Sequence, residues 1–185
     1  ADKAATGYTS LFEKGMQASI GSVTSGSCAS FAAEAEGDGV LFITPSASAE
    51  NVIETGDNAF RVCFGDAQQG TLAADQLVAT YSKIGVIYDT SDPYSTGIYQ
   101  AFDATAKELG LEIVAVSTFS SDDNADFSVQ IAECKDNGAD LVFLPIYYTP
   151  ASLILAQAKD MGYAPTFFGA DGMDGILTLE GFDPA

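Results

Sequence analysis

Short apolar runs of strand length alternate with segments of helical apolar spacing from one end of this chain to the other. Apolar runs without a polar face suit strands buried on both sides, and parallel strands need a crossover between them that is usually a helix. The spacing predicts strands over 16–20, 40–43, 60–63, 84–88, 112–118, 140–144 and 166–168. Helices are predicted over 4–14, 26–36, 69–81, 96–109, 127–137 and 151–161. Gly15, Gly37, Gly110, Gly138 and Gly162 stand just past helices, where a left-handed residue closes the last turn. The expected class is therefore α/β with mainly parallel sheets. At 185 residues and 47% hydrophobic, the chain suffices for one domain or for a lobe and a half.

Seven basic residues against 26 acidic ones give a net charge of −19, which repels nucleic acid and anionic membrane surfaces. Most of those acids read as a solvated surface. The near-apolar run at 141–148 is far shorter than the roughly 20 residues a membrane-spanning helix needs. Cys28, Cys63 and Cys134 form no CxxC pair and read as buried small hydrophobes. The chain has no histidine, which removes the usual serine triad and the commonest zinc ligand. No metal or cofactor is implied.

Two motifs fail on inspection. Gly21-Ser-Val-Thr-Ser-Gly26 begins like a phosphate loop, yet Ser27-Cys28 stands where lysine and a hydroxyl residue are required. Asp122, Asn124, Asp126 and Glu133 have calcium-loop spacing, but Phe127 occupies the position of the turn glycine. Asp126 reads better as a helix cap.

The exits of the strands carry more chemistry. The strand at 16–20 leads into Ser22-Val-Thr-Ser25, the strand at 40–43 into Thr44-Pro-Ser46-Ala-Ser48, and both loops are expected to open helices. Hydroxyls and free N–H groups at a helix N-terminus favour an anion. Three later strands, 84–88, 140–144 and 166–168, are followed by Tyr94, Tyr147-Tyr148 and Asp171, on the carboxyl edge where open α/β sheets bind ligands. Hydroxyl donors facing a carboxylate and aromatic rings suit a zwitterionic amino acid, with Ser25 and Ser48 on its carboxylate and Asp171 on its ammonium.

These segments resemble the type I periplasmic binding proteins, in the leucine/isoleucine/valine-binding branch that serves ABC transporters. The similarity lies in Ile20-Gly-Ser-Val-Thr-Ser25, Gly39-Val-Leu-Phe-Ile-Thr-Pro-Ser-Ala-Ser48 and Phe60-Arg-Val. It continues through Ile84-Gly-Val-Ile-Tyr-Asp89, Tyr94-Ser-Thr-Gly97, Asp126-Phe-Ser128, Gly138-Ala-Asp-Leu-Val142 and Phe168-Gly-Ala-Asp-Gly172. The resemblance implies ligand contacts from the Ser25 and Ser48 hydroxyls, from the Ser46 backbone, from Tyr94 and Tyr147, and from Asp171 to the ammonium. Pro145-Ile146 departs from it, standing where glycines are common.

On the same resemblance the chain looks like the middle half of such a protein: a partial first lobe over 1–63, a crossover over 64–70 and a second lobe over 71–185. The implied function is extracytoplasmic capture of a small, aliphatic or branched-chain amino acid by lobe closure, without chemistry on it, for delivery to a membrane permease. A ligand-sensing domain of a receptor or regulator is the alternative, and an α/β enzyme a weaker one. Strand edges and apolar surface in the partial lobe lead to the expectation that this chain self-associates.

Overall fold

The computed structural model describes residues 2–121, 123 and 125–182. All seven expected strands and six expected helices are present, in two all-parallel sheets. The first sheet has order β1-β2-β3, from Ala18–Ile20, Leu41–Thr44 and Ala59–Arg61. The second has order β5-β4-β6-β7, with β4 Ile84–Asp89, β5 Ile113–Phe119, β6 Leu141–Leu144 and β7 Thr166–Gly169. The helices are α1 Asp2–Phe12, α2 Ser25–Asp38, α3 Asp66–Leu77, α4 Pro93–Leu109, α5 Ser128–Asp136 and α6 Tyr148–Asp160.

The side-chain period of two decides how each sheet is covered. In β6, Leu141 and Phe143 enter a core built with Leu77 of α3 and Ile98 and Phe102 of α4. Val142 and Leu144 enter the opposite core, with Ile131 of α5 and Ile154 of α6. The second sheet is thus the middle of three layers, and β6 is buried at every position. Gly85 in β4 permits one of those layers to close, because a Cβ there would lie 2.8 Å from Cys134 Sγ.

The first sheet is covered on one face. Phe42 and Ala59 pack under Tyr8 of α1 and Phe31 of α2, and the Tyr8 hydroxyl donates to Asp38 at 2.9 Å. The register Ile20↔Ile43↔Phe60 puts those three on the other face, in line with Leu41 and Val62. There Ile20 is 80% exposed, Phe60 52% and Val62 73%.

Helix ends repeat one device. Gly39 at φ 66° donates to Glu36 O while Val40 N donates to Ala35 O, so two orphan carbonyls are satisfied in the crossed pattern that a left-handed residue permits. The same pair of bonds follows α1, α4, α5 and α6, at Gly15, Gly110, Gly138 and Gly162. Gly37, expected to play this part, lies inside α2, which runs on to Asp38 before Gly39 turns it.

Other expectations need correction. Five of the six helices start one to three residues upstream of the apolar periodicity, while α5 starts one residue downstream of it, at Ser128. Asp92 caps α4 by accepting from Tyr94 N at 2.9 Å with Pro93 at the first helical position, so Tyr94 sits in a first turn and not in a loop. The second serine loop opens only a 3-10 turn, Glu50–Val52, not an α-helix. β3 ends at Arg61, short of Cys63, and Cys63 is half-buried where Cys28 and Cys134 are buried. Asp122 and Asn124 of the calcium-like spacing lie outside the described residues, while Asp126 accepts from Ser128 N at 2.9 Å. Among the described residues no helix is long and apolar enough to cross a membrane.

Candidate functional site

All parallel strands deliver their following residues to one edge, and five of those exits meet. Ser25 opens α2 after β1, and Ser46 and Ser48 follow β2. Tyr94 stands in the first turn of α4 after β4, Tyr147 caps α6 after β6, and Asp171 opens a 3-10 turn after β7.

Ser25 and Ser48 are buried, and each hydroxyl oxygen is already used as an acceptor. Ala49 N donates to Ser25 Oγ at 3.2 Å, and Gln69 Nε2 donates to Ser48 Oγ at 3.5 Å. A hydroxyl has one hydrogen and two lone pairs, so both serines still have that hydrogen to give, that of Ser48 beside the Asp66 carboxyl. The Ser25 N–H, at the start of α2, donates to the Tyr147 hydroxyl at 3.3 Å. Ser46 stands slightly apart and half-buried, its N–H donating to Thr44 Oγ1 at 3.3 Å.

On the side of the second sheet, Tyr94 and Tyr147 stack at 4.7 Å between centroids with 21° between planes. Tyr94 donates to Asp171 Oδ1 at 2.8 Å and accepts from Gly172 N at 2.7 Å. Gly172 is required by that approach, since a Cβ would fall 2.6 Å from the Tyr94 hydroxyl oxygen. Burial, and after it the charge of Asp171, holds the Tyr94 hydroxyl far above its ordinary pKa. Burial does the same for Tyr147, so both phenols remain proton donors. The Asp171 carboxylate is exposed at this rim and open to a cation.

Three neighbours were not among the expected site residues. Arg61 donates to Ser48 O at 2.7 Å and to Ala49 O at 3.3 Å while pairing with Glu50 at 3.1 Å, which fixes the loop that carries Ser48. Asp66, the first residue of α3, is 1% exposed and neither carboxylate oxygen has a hydrogen-bond partner. Burial pushes its carboxyl up to about 7; the adjacent Ser48 hydroxyl favours the charged form without reaching hydrogen-bond geometry. Gln69, one turn later, accepts from Asp171 N at 3.3 Å. Both of the last two fall in the segment 64–70 expected to be a crossover, and that was the available signal for them.

A cavity of about 910 Å³ lies elsewhere, between α6, β7 and residues 179–182. Its lining is mostly apolar, and it does not bring together the strand-end polar groups that distinguish the other edge.

Comparison with known proteins agrees with this architecture. The sequence profile of the family described as Periplasmic binding protein matches residues 1–181. The Leu/Ile/Val-binding protein homolog 3 of Brucella melitensis is 29% identical over 162 residues, covering 86% of this chain and 44% of that protein. The leucine-, isoleucine-, valine-, threonine- and alanine-binding protein of Pseudomonas aeruginosa is 30% identical, over 75% of this chain and 37% of its own length. Among solved structures, the leucine-binding protein LivK of Thermotoga maritima superposes with a TM-score of 0.87 at 28% identity, covering 94% of this chain and 50% of that one. The substrate-binding protein LivJ of Streptococcus pneumoniae, in complex with isoleucine, gives 0.83 at 30% identity, over 92% and 49%. The chain thus spans half or less of the length of these relatives. With both its sequence and its two parallel sheets accounted for, the chain belongs to the type I periplasmic binding proteins.

Proposed function

We propose that this chain carries the ligand-capturing part of an extracytoplasmic substrate-binding protein that holds a small aliphatic amino acid and presents it unchanged to an ABC transporter permease. The observation that carries this reading is the meeting of five strand exits, with serine donors from the first sheet opposite Tyr94, Tyr147 and Asp171 from the second. Ser25 and Ser48 donate to the α-carboxylate, the Ser46 backbone lines the same wall, and Asp171 receives the α-ammonium. These are charge-assisted hydrogen bonds that leave neither end of the zwitterion unpaired. The stacked tyrosines present apolar faces to the side chain. The relatives named for leucine, isoleucine and valine binding support the substrate class.

In this reading residues 1–63 belong to one lobe, 64–70 to the crossover and 71–185 to the other lobe. Contacts to both walls then favour the closed arrangement by their differential affinity for it. The uncovered face of the first sheet is where this chain self-associates.

Isothermal titration with a panel of L-amino acids, followed by recovery of the bound molecule for mass spectrometry, tests the proposal. Stoichiometric binding of an aliphatic amino acid, recovered intact, is expected. Conversion of the ligand, or no heat with any amino acid, overturns it.

A further inference from the structure

Gln69 touches both walls of the site described above with its side-chain amide, by way of residues far apart in sequence. Its Nε2 lies 3.5 Å from Ser48 Oγ, after β2 of the first sheet, and its Oε1 lies 3.3 Å from Asp171 N, after β7 of the second. The orientation of the amide follows from chemistry. A backbone N–H can only donate, so the carbonyl end must face Asp171 and the NH₂ end must face Ser48. An NH₂ group that donates to Ser48 Oγ fills an acceptor site of that oxygen and leaves the hydroxyl hydrogen to point elsewhere. At the other end, the carbonyl works beside Tyr94, which bonds Asp171 Oδ1 at 2.8 Å and Gly172 N at 2.7 Å, so the 3-10 turn Asp171–Met173 is held from two directions.

We propose that Gln69 is a positioning residue that polarises Ser48 as a donor toward an anionic group and, through the same amide, fixes the distance between Ser48 and Asp171. The proposal rests on the reading of this edge as an amino acid site and deepens it: α3 supplies the element that matches the site to the separation of carboxylate and ammonium in one small zwitterion.

The variants Gln69→Leu and Gln69→Glu separate this role from packing. Gln69→Leu removes both bonds, and the side chain borders a small apolar space beside Leu72, Ala73, Phe143 and Phe168 that can receive a branched methyl. Gln69→Glu has nearly the same shape and still accepts from Asp171 N, but it draws the Ser48 hydrogen to itself and sets a negative charge near the carboxylate subsite. Amide hydrogen exchange, followed by NMR on the intact chain, should show Asp171 N–H exchanging about tenfold faster in Gln69→Leu and near the wild-type rate in Gln69→Glu. Titration with L-leucine should rank wild type above Gln69→Leu and Gln69→Leu above Gln69→Glu, with about a tenfold loss at the first step. A purely structural glutamine predicts the opposite order, with the isosteric glutamate nearest wild type. Unchanged exchange at Asp171 in Gln69→Leu, or wild-type affinity in Gln69→Glu, overturns the proposal. If the wild-type chain takes up no L-leucine, the amino acid reading falls, and the exchange pattern at Asp171 still decides whether Gln69 holds the turn.

Discussion

In the second sheet Leu141 and Phe143 pack toward α3 and α4 while Val142 and Leu144 pack toward α5 and α6; in the first, Phe42 is covered by α1 and α2 while Leu41 faces water. Both sets of strands nevertheless carry apolar residues on both faces, the pattern of strands that are buried on two sides. The difference therefore lies not in the strands but in what covers them. A strand's sequence records the environment it is suited to, and Ile20, Ile43, Phe60 and Val62 record a second cover that these residues do not have here.

The sharpest way to break this comparison is to remove an equivalent ring from each sheet. Phe143 is fully buried and packs against Phe102 at 4.6 Å between centroids, so Phe143→Ala should cost about 3–5 kcal/mol. Phe60→Ala on the open face should stay within about 0.5 kcal/mol when the chain is dilute enough to be monomeric. Urea denaturation at such dilution measures both, and similar losses at the two positions would show that the first sheet is covered within the single chain.

Next in size is an effect at the junction of the sheets. The Asp66 carboxyl is raised by burial to about 7, against an ordinary value of 3.8. A proton held more tightly in the folded state contributes stability that is fully present below pH 3.8 and is lost as pH rises through about 7. Asp66→Asn has no proton to lose. It should match wild type near pH 4 and exceed it at pH 8 by on the order of 2 kcal/mol. Thermal melts across that range give the slope; a pH-independent difference would mean that Asp66 is charged throughout.

The smallest change in folding stability belongs to the open face itself, where the readout is association. The wild-type chain should form dimers or larger species at micromolar concentration, and Phe60→Lys with Val62→Lys should shift it toward monomer while altering stability by no more than about 0.5 kcal/mol. Light scattering on a size-exclusion column decides this, and a compact wild-type monomer would remove the case for self-association through this face.

What the sequence made legible follows from the range of the forces involved. Apolar runs and helix-closing glycines act within a few residues, so the seven strands, the six helices and the parallel class could be read directly. The starts of α3 and α4 were placed three residues downstream because Gly65 and Asp92 open these helices ahead of the first core-facing residue. Ser25, Ser48, Tyr94, Tyr147 and Asp171 were legible as a group because parallel topology brings strand exits to one edge whatever the loops contain. Gln69, Asp66 and Arg61 were not. Gln69 meets Asp171 across 102 positions, the environment of Asp66 is made by burial, and Arg61 works through backbone carbonyls that any residue supplies.

The glycine turns after α1, α2, α4, α5 and α6 all lie at the rim where chains enter the strands, away from the rim that carries the serines and tyrosines. One rim is a uniform joint, made five times from the same two backbone bonds, and the other is different at every position. Such a molecule separates the part that must stay fixed from the part that is free to vary. Loops on the varied rim can be exchanged one at a time, and the preference for one small molecule over another rewritten, while five of the seven strands still enter their sheets by the same turn.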